Sequence, residues 1–597
     1  MRRFPFFFVA LMGVFLTLAA PLHALEVRQT LWGFDGRAVP GRISPLSVLL
    51  ANPGNKPFEG ELVLKQQGGL GAHSGAPYVL PVFLGPQSER WVQFYAFVNA
   101  GEEFELSWGR GAKDRYKLDY GTTAPPARVL LADPGNPFGV GAAMKTFPDN
   151  LFPTTVAATD GLDAVVLDYV PRWEAARRDA FLDWVKRGGI VMLLPGTGGE
   201  FPVFSGPLEV LNITGESANV GAGTVLRHKA TRREASEKLL VDRGFPAPEL
   251  KTGKDQVVIY NFEQTVFERL ARLTRPDIRW WLINSLTVLY VLVVGPLHYR
   301  WSQRVDYRLS IAGLVGGVLL FGTAFAVIGR RGYGESQTVH SIAIARALGD
   351  GRCDVTQWVS AFATAGDIYT LTHHAPANLY AAVSPEPING KILNGKDGAF
   401  LADIPLFSSR QFLHRAVLTG DDTRVTVEQW ETVIGETVTD EPAKLKAIAL
   451  RVNAQFPKET LELSIRHGDR FYRLKREGDL LVLADGEGQS FESFLPPQRI
   501  NEASSGTVVT TFRAGSGATV STRAELTPEL IALAPLLHVR ALGGRDYFQQ
   551  QIKRPPLPPD RLELYVFTYS PESFRLQAEG FNNQNGCVLY VQDVSKP

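Results

Sequence analysis

Two stretches, Trp280–Tyr299 (WWLINSLTVLYVLVVGPLHY) and Leu309–Ile328 (LSIAGLVGGVLLFGTAFAVI), decide how the chain must be read. Each runs 20 residues without Lys, Arg, Asp or Glu. At about 1.5 Å of rise per residue such a helix is roughly 30 Å long, the thickness of a bilayer's hydrocarbon. The pair predicts a transmembrane hairpin, 280–299 and 309–328, with RWSQRVDYR (300–308) as a cytoplasmic loop. The flanks are long and mixed in polarity, so both are expected as folded bodies on the same side of one membrane.

Gly313 and Gly317 form GxxxG in the second stretch, a small-residue face on which another helix can approach closely. The first helix or a second copy can fill that role, the first helix being the simpler choice. Gly295-Pro296 is expected to bend or end the first helix.

The N-terminus, MRRFPFFFVALMGVFLTLAAPLHA, has Arg2 and Arg3, an apolar stretch and a small residue at Ala24, the three-part pattern of a secretory signal over 1–24. Leu22 fits the cleavage pattern less well than Ala, which leaves an uncleaved anchor as the alternative. Export of the first flank sets the hairpin's direction and exports the second flank too. The arginines do not decide it, because they lie on both sides of the first helix. The expected place is a bacterial inner membrane with both flanks periplasmic.

At 597 residues several domains are required, and a hydrophobic fraction of 45% argues against a polytopic transporter. Lys and Arg number 62 against 61 Asp and Glu, which gives no electrostatic reason to expect nucleic acid as a partner. Cys353 and Cys587 are the two cysteines. In an oxidising compartment they read either as a disulfide or as two buried thiols. No zinc spacing occurs, and no cofactor or metal is expected.

Residues 25–120 read as an all-β sandwich of immunoglobulin-like pattern: Leu46, Val48 and Leu50 alternate before an Asn52-Pro53-Gly54-Asn55 turn, and Phe104, Leu106 and Trp108 repeat the period. Trp91, Tyr95 and Phe97 read as core aromatics, with a carbohydrate-stacking surface as the alternative. Beyond the hairpin, 335–440 and 441–597 read as exported β domains, with strands at 368–374, 447–456, 459–485, 506–514 and 561–569, and a helix at 527–544 capped by Thr527.

Between these lies a strand, helix, strand pattern: RVLLA (128–132), DAVVLDYV (163–170), WEAARRDAFLDWVKRGG (173–189) and IVMLLPG (190–196). This run resembles the class I glutamine amidotransferase-like fold over 126–270, an α/β flavodoxin-like domain, with GKDQVVIYNF (253–262) as its returning strand. The order of parts also resembles a family of large bacterial membrane proteins, which implies partners among envelope proteins of an AAA+ ATPase and von Willebrand A-domain system. The catalytic pair of amidotransferases, a Cys on a sharp turn and a His, maps onto nothing here. No Cys occurs between residues 25 and 352, and His228 is the single His of the domain.

Asp163 and Asp168 flank the second strand and are the weak ligand candidates, Asp168 the better, because open α/β sheets bind ligands beyond the carboxyl ends of their strands. Catalytic residues are expected to be absent. The reading is a non-enzymatic, membrane-anchored envelope protein acting as a binding or assembly platform. The alternative is an exported carbohydrate- or ester-active hydrolase, which needs two carboxylates converging at roughly 5 to 9.5 Å.

Overall fold

A computed structural model describes residues 25–67, 73–99, 103–118, 124–133, 143–248, 254–273, 280–329, 336–383, 386–433, 444–484, 487–496, 498–500, 503, 529–542 and 557–596. The expected signal sequence, the strand at 506–514 and the cap at Thr527 lie outside them. The chain is multidomain and strand-rich, with sheets of three, six, eight and eleven strands.

The division expected between 25–120 and 335–440 is crossed by the eight-stranded sheet. Strand His73–Leu84, ahead of the apolar helices, borders strand Gly390–Leu393, beyond them, through the parallel pair Tyr78 and Ile392. The core follows the same path. Leu46, Val48, Leu62 and Phe104 pack in one cluster with Val359, Phe400 and Phe412. Each is an inward position of an alternating strand, so the two segments bury their apolar faces against one another. Tyr95 and Phe97 are core residues, as their period implies.

The eleven-stranded sheet likewise crosses the expected break near 440, where Val425–Val433 pairs antiparallel with Lys444–Val452. At its centre Thr338–Gly349 lies between Arg352–Ala363, antiparallel, and Asn583–Ser595, parallel. Register places Cys353 opposite Ala347 and Cys587 opposite Ile342. The cysteines therefore sit two strands apart and five residues along, about 16 Å in that direction alone. They also face different clusters on the two sides of the sheet. Of the two readings the structure has the buried thiols and not the bridge, because a bridge needs Cα atoms within about 7 Å.

The six-stranded sheet runs in the order Ser217–Val220, Gly223–Arg227, Ile190–Leu193, Leu162–Leu167, Ala127–Ala132, Thr146–Pro148, and all but the first are parallel. Val165, Leu167, Val191 and Leu193 face the helix Ala175–Arg187, while Ala164, Val166, Ile190 and Met192 fill the opposite side. Both faces are covered, which is why these strands are continuously apolar. The expected strand at 253–262 is instead the start of a helix, Lys254–Leu273. Phe262, Val266, Phe267 and Leu270 are its buried stripe. Their spacing is helical and becomes legible only beyond residue 262.

Two helices, Trp281–Ser302 and Tyr307–Ile328, are long and apolar enough to cross a membrane, with none of the first and 6% of the second buried. The first does not end at Gly295-Pro296. A π-helical turn, Val293–Leu297, absorbs Pro296 and the helix continues to Ser302. The turn is correspondingly shorter than the expected 300–308. Tyr290 stacks edge-on against Phe321 at 5.3 Å between centroids.

Candidate functional site

Asp163 and Asp168 do not converge. Asp163 is the second residue of strand Leu162–Leu167 and Asp168 follows its last, which separates their Cα atoms by about 16 Å. At the amino end, Arg128 donates from Nε to Asp163 at 2.7 Å and to the carbonyls of Phe245 and Pro246 at 3.1 and 2.5 Å. That guanidinium ties the chain just after the helix Glu237–Asp242 to the amino ends of the strands. At the carboxyl end, Arg232 pairs with Asp168 and donates to the Leu131 carbonyl at 3.1 Å.

The carboxyl end also holds Asp149 and Tyr169, which the sequence did not single out. Tyr169 donates its hydroxyl to Asp149 at 2.8 Å, and Trp173 Nε1 donates to the Asp149 carbonyl at 2.8 Å. Burial raises the Asp149 carboxyl, and the nearby Asp133 charge adds to it. His228 Nδ1 accepts from the amide of Ala230, so its ring braces a local turn. Among the described residues no nucleophile and base are hydrogen-bonded here, and no three His, Cys, Asp or Glu side chains gather as metal ligands.

A charged, partly enclosed place lies where the amino-terminal strands, the parallel sheet, the eleven-stranded sheet and the carboxy-terminal helix Ala534–Ala541 meet. A cavity of about 200 Å³ opens there, and Arg42, Arg187, Arg346, Arg415 and Arg540 line it with Asp160 and Asp354. Arg187 donates from Nη1 to Asp160 at 2.8 Å and to Asp354 at 2.9 Å. Arg415 forks onto both oxygens of Asp354 at 2.8 and 2.9 Å and pairs with Asp160 through its other nitrogen. Burial by itself raises the Asp160 carboxyl, but the guanidinium groups of Arg415 and Arg187 outweigh it and hold it at about 2.

Arg540 binds Glu263 and the Gly41 carbonyl, both at 3.1 Å, and Glu263 also accepts from Trp358 Nε1. Arg346 donates to the Ala541 carbonyl, closing the helix end over the cavity. Phe97, Ile344, Trp358 and Leu413 supply its apolar wall. The five arginines are scattered from residue 42 to residue 540, so no local motif announces them.

No protein-family model matches the chain, and no curated protein matches it. Among solved structures it is similar to a cycloisomaltooligosaccharide glucanotransferase of Paenibacillus sp., at 9% identity and a TM-score of 0.17, over 78% of this chain and 98% of that one. It is also similar to a β-glucuronidase from glycoside hydrolase family 2, at 9% and 0.13 over 78% and 59%, and to a glycoside hydrolase family 2 member from Bacteroides cellulosilyticus, at 10% and 0.14 over 78% and 76%. Backbone agreement this low transfers neither chemistry nor fold.

Proposed function

We propose that the chain is a non-catalytic, membrane-anchored envelope protein whose exported flanks form a binding or assembly platform. One observation carries the reading: two exposed apolar helices interrupt a body that the chain on both sides of them builds together. A shared core requires both flanks on one side of the bilayer, so the helices enter and return. The leader pattern at 1–24 makes that side the exported one, at a bacterial inner membrane. The six-stranded sheet with its crossing helix supports reading 126–270 as an amidotransferase-like α/β scaffold. Its Asp163 and Asp168 are occupied in ion pairs at the two ends of an interior strand. Envelope proteins of an AAA+ ATPase and von Willebrand A-domain system are the proposed partners, by resemblance alone.

The test is protease added to intact spheroplasts, followed by mild-detergent purification of the uncut protein. Digestion of both flanks together, with co-purifying envelope proteins, is expected. A protected flank beside a digested periplasmic control overturns the topology. Glycan or ester turnover that disappears in Asp168→Asn overturns the non-catalytic reading in favour of the hydrolase.

A further inference from the structure

We propose that the turn Pro405–Ser408 and the strand end at Ile368 rest on the bilayer surface, with Leu406, Phe407 and Ile368 seated in the lipid interface beside the apolar hairpin. The inference rests on the membrane-anchored reading above and adds which part of the exported body meets the lipid. Exposure is the first ground. Outside 280–329, the described large apolar side chains at least 61% exposed are Val203, Ile368 and Leu406. The last two are neighbours. Asp367–His373 pairs antiparallel with Ala399–Ile404, and a Cβ on Gly366 would lie 3.7 Å from that of Leu406. A single exposed apolar residue needs no explanation, but two on touching turns make a patch.

The backbone of the turn is the second ground. Ser408 donates from its amide and its hydroxyl to the Pro405 carbonyl at 3.1 and 2.8 Å, which closes a turn whose third residue, Phe407, has a φ of 50°. That position favours Gly, because a side chain there crowds the backbone. Strain that holds an aromatic residue beside an exposed leucine points to a role for the turn itself.

Position selects the partner. The second apolar helix, Tyr307–Gly329, ends eight residues before Gln337, a span of at most about 28 Å. The Gln337 amide lies 3.1 Å from the Tyr369 hydroxyl, which donates to the Ala365 carbonyl at 2.8 Å in the turn just before Ile368. Register agrees. Thr338 pairs with Phe362 and Ala363 with Ser408, so the patch sits at the sheet end where the chain arrives from the helix, two strand spacings or about 10 Å away. The bilayer that this helix crosses is the apolar medium within reach. Asp367, Asp403 and Arg410 border the patch, so no net positive charge draws it to anionic headgroups and the contact is apolar.

The experiment uses the full chain reconstituted in phosphatidylcholine vesicles. Leu406→Cys, Ile368→Cys, Val203→Cys and Leu320→Cys each carry an NBD fluorophore, with the parent chain as labelling blank. Lipids bearing a doxyl group on the upper acyl chain report contact by quenching. Quenching of roughly twofold or more is expected at Leu406, Ile368 and Leu320, and none at Val203. Leu406→Asp should remove it from the Ile368 label, and added phosphatidylglycerol should leave it unchanged. Quenching at Leu320 without quenching at Leu406 overturns the contact and leaves the anchor standing. No quenching at Leu320 overturns the anchor, and the contact with it. Equal quenching at Val203, or quenching at Leu406 that requires phosphatidylglycerol, also overturns the proposal. Blue-shifted emission at Leu406 that grows with protein concentration and ignores the doxyl lipid assigns the patch to a second copy instead.

Discussion

Tyr78 and Ile392, on opposite sides of the two apolar helices, are register partners in one parallel strand pair. The contact is continued by a common core in which Leu64 and Phe104 pack with Phe400 and Phe412. Neither flank can satisfy its apolar face alone. A protease site inserted between Gln303 and Asp306, the turn of the hairpin, is therefore expected to give two fragments that co-elute in mild detergent after cleavage. Separation of the fragments without denaturant would contradict the shared core.

Arg415 is bound on two sides by carboxylates that are themselves buried. Replacing it with Ala leaves Asp160 and Asp354 with Arg187 as their one remaining ion-pair partner among the described residues. The loss of one partner from a buried network costs about 3 to 5 kcal/mol. Arg28→Ala, at a pair with Glu26 that is exposed on both sides, should cost under about 1 kcal/mol. Urea midpoints of the two variants decide it, and equal shifts would mean that the network is solvated.

How far the sequence reached depended on whether a pattern was local. Arg561–Tyr569 is a dense run of strand-forming residues and is a strand over the range its pattern predicts. Ala175–Arg187 is legible because Gly188 stops it at a positive φ of 130°. Lys254–Leu273 misled, because Val257, Val258 and Ile259 read as a strand until Phe262, Val266 and Leu270 reveal the helical stripe. Asp163 and Asp168 flank one strand at opposite ends, as the sequence places them, and proximity in sequence is not proximity along an extended backbone. The cavity was beyond reach. Its arginines come from five separate segments, and long-range pairing leaves no periodic trace.

Gly313 faces Trp301 within the hairpin: a Cβ there would lie 2.3 Å from the indole ring, whereas one on Gly316 would meet nothing within 4 Å. The adjacent Gly317 lies against Val294 at 3.9 Å by the same construction. The small-residue face is thus used inside one chain. Gly313→Val should destabilise the helix pair by about 1 to 3 kcal/mol, and Gly316→Val should be close to neutral. Thermal midpoints in detergent separate the two, and equal sensitivity would move the contact to a second copy.

Cys353 lies against the core on one face of the eleven-stranded sheet, and burial, with smaller contributions from Asp354, Asp421 and Asp422, pushes its thiol up to about 12. A thiol so protonated is a poor nucleophile. Intact mass after treatment of the native protein with an alkylating reagent should show no adducts at Cys353 or Cys587. Two adducts are expected after denaturation without reductant. A denatured protein that still resists alkylation until reduced would restore the disulfide.

Buried histidines make the fold sensitive to acid, His340, His373 and His414 among them. His373 stacks on His414 with ring centroids 3.7 Å apart, and donor and acceptor contacts run from them to Tyr380 and Asn378. Burial lowers His373 to about 3 and His340 to about 4, and drives His414 well below its ordinary value. Each stays neutral in the fold while the unfolded chain takes up a proton below about 6.5. The unfolded state then binds more protons, so stability falls as pH drops from about 6.5 towards 4. Each histidine contributes a slope of about 1.4 kcal/mol per pH unit. Asp593, raised to about 7 by burial, acts in the opposite sense over the whole of that range. The measurement is therefore a difference. Urea unfolding between pH 5 and 6 should show a slope smaller by about one proton in His340→Gln than in the parent. An unchanged slope would mean that His340 already titrates normally in the folded protein.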